Sequence, residues 1–341
     1  MNSQTRKFYI SRVLLIFSGI LLGFLTAAAV SATNDANTNR NPVADFDGDG
    51  KSDISVFRPS NGFWYIMNSS GGYSSIQWGL GTDALVPGDY DGDGKTDLAV
   101  YRKGVLPSTG GSVNNTWYIL RSSDNNFFAR QWGITSFFRL DVSVPADYDG
   151  DGKTDLAVCD LQDYVPAPSN FIILQSSSDS RVVRQWGTNV DRKVPADYDG
   201  DGKADLAVYR YLTFPGSTEV GIWFILQSSN GAMRVERFGL PTDRLVPADY
   251  DGDGKADIAV FRPSDGFWYR INSSDGSFNA MKFGLSDDKP VPADYDGDGK
   301  ADIAVFRPAT GIWYLQRSTE GFLAQPFGFG SDIPIPNVFV R

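Results

Sequence analysis

Asp249-Tyr250-Asp251-Gly252-Asp253-Gly254-Lys255-Ala256-Asp257 is the stretch on which the reading of this chain turns. The same Asp-x-Asp-Gly-Asp-Gly-Lys-x-Asp string begins at Asp45, Asp89, Asp147, Asp197, Asp249 and Asp294, at intervals of 44 to 58 residues. Working outward, Val246 to Tyr250 leads into the string as a short strand and Ile258-Ala259-Val260-Phe261-Arg262 leaves it as another. Pro263 to Gly266 reads as a turn and Phe267-Trp268-Tyr269-Arg270-Ile271 as a third strand. Ser273 to Gly276 is a second turn, before a strand closing on Phe283-Gly284. Four antiparallel strands at this period predict an all-β chain, a β-propeller of six blades, each with its acidic loop between first and second strands.

Each loop offers carboxylates at positions one, three, five and nine and the lysine's backbone carbonyl at position seven. Its two glycines permit the turns that wrap a chain around an ion. The metal ligands expected are Asp45, Asp47, Asp49, Lys51 and Asp53 in the first loop and Asp89, Asp91, Asp93, Lys95 and Asp97 in the second. The third has Asp147, Asp149, Asp151, Lys153 and Asp155, and the fourth Asp197, Asp199, Asp201, Lys203 and Asp205. The fifth has Asp249, Asp251, Asp253, Lys255 and Asp257, and the sixth Asp294, Asp296, Asp298, Lys300 and Asp302. An all-oxygen set favours Ca2+ over zinc, copper or magnesium, giving about six ions per chain. As plain turn formers the carboxylates would repel one another by roughly 4 kcal/mol per pair at about 4 Å and an effective dielectric of about 20. Such crowding calls for a cation. The string matches the first nine positions of an EF-hand but lacks the Glu at position twelve and the flanking helices.

With an Ile/Leu-Ala-Val strand after the loop and Phe-Gly or Trp-Gly closing the unit, the pattern resembles the FG-GAP and VCBS repeats, to which integrin α-subunit head propellers belong. The resemblance spans residues 42 to about 341. It implies that calcium in the loops mainly stabilises the propeller and that ligands bind the opposite face. This chain departs from the pattern in carrying the loop in every unit, and it lacks an integrin's other domains.

The 341 residues carry 31 Lys and Arg against 41 Asp and Glu, a formal charge of −10. Nucleic acid and anionic membrane surfaces are therefore not expected as partners. Arg6, Lys7 and Arg12 precede an apolar run from Val13 to Val30, and Val30-Ser31-Ala32 fits a cleavage site. Residues 1–32 read as a signal peptide, with a retained membrane anchor as the alternative. Residues 33–41 read as a short linker and 42–341 as one domain. The expected location is secreted or at the cell surface. Cys159 is the one cysteine, so no intramolecular disulfide forms.

Third strands carry Trp64, Trp117, Phe171, Trp223, Trp268 and Trp313, and fourth strands end at Trp78, Trp132, Trp186, Phe238, Phe283 and Phe327. A row of sugar-stacking platforms is one reading. A residue needed once per unit is more simply the wedge between neighbours. Arg58, Arg102, Arg210, Arg262 and Arg307 repeat after the second strand, as expected of donors linking blades, whereas the third unit has Asp160 there. The tail Ile335-Pro336-Asn337-Val338-Phe339 imitates a first strand without the carboxylates and reads as a closing strand; an incomplete seventh blade is the competing reading.

Loops that escape the repeat, at 103–115, 160–170 and 211–221 and around 137–139, nominate Phe137, Arg139, Tyr164, Tyr211 and Phe214 as ligand-binding candidates. With no histidine in the chain, a Ser-His-Asp or Cys-His site is excluded. The chain reads as a non-enzyme that recognises an extracellular protein or glycan, in adhesion above all. A lectin-like carbohydrate-binding propeller is the second hypothesis, and a polysaccharide-active enzyme working through paired carboxylates the third.

Overall fold

The computed structural model describes residues 43–212 and 220–335. The expected leader and linker therefore lie outside the described residues, as do Phe214 and the tail beyond Ile335. Among the described residues there is no helix, and none long and apolar enough to cross a membrane.

The strands form four-stranded antiparallel sheets, one for each acidic loop, except that those of the second and third repeats merge into one eight-stranded sheet. In the fifth repeat the order is Arg244–Leu245, Ile258–Arg262, Phe267–Ile271 and Phe278–Lys282. The second strand of each sheet is a continuous apolar run buried on both faces, as in Ile258–Arg262 and Ile303–Arg307. The outermost strand alternates exposed and half-buried residues, as in Tyr73–Gln77. Burial thus decreases from the second strand outward.

First strands begin earlier than the sequence pattern suggests. Pro247 has no N–H to give the ladder, so pairing falls on Arg244–Leu245 and on the Val246 N–H, which donates to Ala259 O at 3.0 Å. A single bridge, Ala248 to Asp257, then closes the acidic loop. In the first repeat the corresponding strand comes from the chain end, where Ile333–Pro334 pairs with Phe57 and Val56 and the Ile335 N–H donates to Ser55 O at 3.0 Å. The closing strand exists, two residues earlier than expected.

Successive repeats meet in a closed cycle. The N–H at loop position eight donates to the position-one carbonyl of the preceding loop, from Thr96 to Asp45 at 2.6 Å through Ala301 to Asp249 at 2.6 Å. Ser52 then returns to Asp294 at 2.7 Å. The hydrophobic clusters follow the same order. Trp223 packs with Ile258 and Val260 of the next repeat, and Trp313 packs with Ile54 and Val56 of the first. The six third-strand aromatics are therefore wedges between repeats, all buried. Each tryptophan among them donates its indole N–H to the backbone carbonyl of the fourth-strand aromatic of its own repeat, as from Trp64 to Trp78 O at 2.8 Å.

The repeated arginines act within a sheet. Arg102 donates through Nε and Nη2 to both oxygens of Asp83, at 2.8 and 2.7 Å, and its guanidinium lies over the Tyr118 ring. Asp83 sits in the turn entering the same sheet and also accepts the Leu80 N–H. Arg210, Arg262 and Arg307 repeat the pair with Asp191, Asp243 and Asp288, and Arg58 makes it with Asp332 near the other end of the chain.

The long junction between repeats two and three is a β-hairpin. Phe127–Ser136 and Arg139–Ser143 pair directly, with Phe137 and Phe138 at the tip. Where the third repeat lacks its arginine, Arg139 supplies the guanidinium, bonding Asp141 at 2.7 and 3.0 Å and lying 4.0 Å from Asp160.

Candidate metal centre

The local chemistry of the first loop explains its shape. Asp45 accepts from the Gly48 N–H at 2.6 Å through Oδ1 and from the Gly50 N–H at 2.9 Å through Oδ2. Both glycines have left-handed backbone angles, φ 79° and 85°. Position four has a second reason to be glycine, because the Lys95 stem of the next loop lies over it. A Cβ at Gly48 would come within 2.8 Å of Lys95 Cε. The contact recurs around the cycle, ending with Lys51 over Gly297.

Asp53, at position nine, is buried and accepts from the Phe46 N–H at 2.8 Å and the Ser69 N–H at 2.7 Å. One carboxylate oxygen each from Asp45, Asp47 and Asp53 lie within 4.8 Å of one another, and positions one, three and nine converge likewise in the second, third and fourth loops. In the fifth loop the converging set is Asp249, Asp251 and Asp253. Position five is tied into the loop by the Lys51 N–H, which donates to Asp49 Oδ1 at 2.9 Å.

The electrostatics of the loops are those of crowded, desolvated anions. Burial pushes Asp53, Asp97, Asp155, Asp205 and Asp257 up to about 6 and Asp302 to about 7, against the opposing pull of their hydrogen-bond donors. Burial also raises Asp45, Asp89, Asp147 and Asp294. Two position-three oxygens, Asp91 Oδ1 and Asp296 Oδ1, are buried without a hydrogen-bond partner. A buried carboxylate oxygen with no donor is costly in protein alone and well placed as a ligand. The donor set holds neither nitrogen nor sulfur, so these residues fit a hard divalent cation of the calcium type.

The sequence reading missed a pair of hydroxyls in the turn between third and fourth strands, on the same side of the sheets as the acidic loops. Ser69 Oγ donates to Asp49 at 2.7 Å and Ser70 Oγ to Asp47 at 2.5 Å. Ser122 and Ser123, Ser176 and Ser177, Ser228 and Ser229, and Ser273 and Ser274 do the same for their loops. In the sixth repeat the Ser318 and Thr319 hydroxyls both reach Asp298. The signal was present as a hydroxyl dipeptide beginning five residues after every third-strand aromatic.

The loops proposed for ligand binding lie at the other ends of the strands. Phe137 and Phe138 are exposed at the hairpin tip, and the Phe138 carbonyl accepts the Asp163 N–H at 3.2 Å, bringing the tip beside the loop that carries exposed Tyr164. Asn189 donates to the Gln162 and Tyr164 carbonyls at 2.6 and 2.8 Å, fixing that loop. Arg139 is committed to its ion pair with Asp141. Tyr211 is exposed on the neighbouring strand Leu206–Leu212, opposite Gly221, and Phe214 lies outside the described residues. Cys159 is buried, and burial pushes its thiol up to about 12.

The model of the FG-GAP-like repeat matches residues 45–100 and 249–305. The chain carries FG-GAP-like repeats. The two matched stretches are about a third of its length and each contains one acidic loop with the strands that follow it. A search of curated protein sequences finds no match. Among solved structures, the chain is similar to an Agrocybe aegerita lectin that recognises non-reducing terminal N-acetylglucosamine, at 16% identity and TM-score 0.48, over 84% of this chain and 90% of that one. It is also similar to a mutant apocarotenoid oxygenase of Synechocystis, at 12% identity and TM-score 0.40, over 82% and 73%. A periplasmic gluconolactonase of Pseudomonas aeruginosa gives 13% identity and TM-score 0.41, over 81% and 96%. At TM-scores below 0.5 these likenesses carry no functional weight.

Proposed function

We propose that the protein is an exported, calcium-loaded β-propeller of six blades that serves as an adhesion or ligand-recognition module for an extracellular protein or glycan. The observation that supports it best is the recurrence of converging carboxylates, orphaned at Asp91 and Asp296, in loops joined into a closed hydrogen-bonded cycle. Calcium, when bound, supplies the positive charge that lets these carboxylates stay ionised at close range. The chain does the rest: Asp45 and its equivalents clamp the two glycine N–H groups, the serine pair orients positions three and five, and position nine ties the loop to the third-to-fourth-strand turn. Because each loop also bonds the next, metal at one position braces two blades. Recognition falls to the opposite side, where Phe137, Phe138 and Tyr164 are exposed on loops that break the repeat.

Thermal unfolding with calcium, with magnesium and with EGTA tests the metal half of this reading. A large drop in EGTA, restored by calcium and poorly by magnesium, is expected; an unchanged melt removes it. Capture on glycan and matrix-protein arrays tests the recognition half. Phe137→Ser with Phe138→Ser should abolish capture without shifting the melt.

A further inference from the structure

The second and third repeats enclose a groove of about 320 Å3 on the side of the acidic loops, large enough for a small ligand. Its floor is aliphatic, formed by Ile119, Leu156 and Leu174, and one wall presents the half-exposed ring of Phe128. Three cations line it: Arg121 and Arg130 from the second repeat and Lys153 from the third. The carboxylates among its lining residues are Asp91 and Asp179. Arg121 spends Nη2 on Asp124 at 2.6 Å, but its Nε is buried without a partner. Arg130 reaches across the mouth to Asp179 at 2.9 and 3.0 Å, and both groups are well exposed, so this pair is weakly held and readily exchanged for a ligand.

The strand register shows that this lining is peculiar to the second repeat. Positions equivalent to Phe128, facing the residue two after the third-strand aromatic, carry Ser74, Val182, Arg234, Asn279 and Leu323 elsewhere. Positions equivalent to Arg130 carry Ile76, Arg184, Glu236, Met281 and Gln325. No other described repeat places an aromatic ring and arginines at this set of positions. The groove is therefore no by-product of the propeller repeat, and repeated structural needs do not explain it.

We propose that this groove binds a single acidic monosaccharide unit, a hexuronate, alone or within a polysaccharide. Arg121 is paired with Asp124 and Arg130 with Asp179, which among the described residues leaves the Lys153 ammonium as the cation of the lining outside an ion pair and suits a monoanion over a dianion such as phosphate. The carboxylate engages the Lys153 ammonium and the exposed Arg130 guanidinium, in the manner that guanidinium and ammonium groups hold carboxylates. The C–H face of the ring stacks on Phe128 over the aliphatic floor, and Gln175, Ser176 and Asp179 face the hydroxyls. This goes beyond the recognition proposed for the opposite side and is independent of it.

Isothermal titration of the calcium-loaded full chain with glucuronate, glucose, benzoate and inorganic phosphate tests the assignment. Glucuronate should bind at least tenfold more tightly than each of the others. Arg130→Gln, which installs the residue that the sixth repeat carries there, and Phe128→Ser, which installs that of the first, should each weaken it about tenfold with unchanged melts. Arg184→Gln, at the position in the third repeat equivalent to Arg130, should leave it unchanged. Equal binding of glucose, or glucuronate binding indifferent to both groove substitutions, overturns the site. Benzoate binding as tightly overturns the saccharide assignment, and phosphate binding more tightly overturns the monoanion argument.

Discussion

Arg139 offers the sharpest test of how the third repeat is held together. Four repeats pair an arginine at the end of the second strand with an aspartate nineteen residues earlier, and the first pairs Arg58 with Asp332 from the other end of the chain; the third repeat has Asp160 at the arginine position and Asp141 at the aspartate position. These two carboxylates are register partners, 3% and 0% exposed, and Arg139 is the cation bonded to Asp141 between them. Arg139→Met leaves them facing each other unneutralised. Removing one partner of a buried ion pair costs about 3–5 kcal/mol, and the partial exposure of Arg139 places this case at about 3. In a domain of this size each kcal/mol moves Tm by about 2 °C, so differential scanning calorimetry in calcium should show a loss of about 6 °C. Adding Asp160→Arg to Arg139→Met rebuilds the arrangement of the other five repeats and should recover more than half of that loss. A single variant melting within about 1 °C of the parent, or a double variant melting below the single one, refutes the exchange.

The metal-free protein should lose stability as pH rises. The position-nine carboxylates have folded pKa values of about 6 to 7 against an ordinary 3.8, so their contribution is full below about pH 4 and is lost as pH climbs through 6 to 7; melts in EGTA should fall from pH 5 to pH 8, and calcium should protect increasingly over the same range. Ser122→Ala and Ser123→Ala each remove a hydroxyl bond to a loop-two carboxylate, worth about 0.5–1.5 kcal/mol, and calcium titration should show one site weakened about two- to tenfold by each. Gly92→Ala combines φ 81° with a Cβ only 2.7 Å from Lys153 Cε; a loss of about 1–3 kcal/mol in denaturant unfolding is expected, and a neutral result would deny the packing of that lysine stem.

Much of this architecture is legible in the residues. The acidic strings announce their loops, and the apolar runs after them are the buried second strands. What periodicity shows is which face a side chain takes, not which distant residue it meets. The partners of the repeated arginines were therefore misread as lying between blades, when they lie in the turn entering the same sheet. The displaced Arg139 escaped for the same reason: its nomination as a ligand contact followed from breaking the repeat, whereas the break is an ion pair moved to another strand. Proline concealed the start of the first strands, since Val-Pro-Ala-Asp looks extended but cannot complete the ladder. The serine pairs were read as ordinary turn formers because nothing local ties a turn to a loop 20 or more residues away.

The claim on which the rest depends is that the acidic loops hold calcium. Equilibrium dialysis against calcium at pH 7.5, followed by elemental analysis of the retained protein, counts the ions directly. About six per chain, falling by one when Asp91 and Asp97 are both replaced by asparagine, is the expected result. A count near zero, or one that the double substitution leaves unchanged, would contradict it.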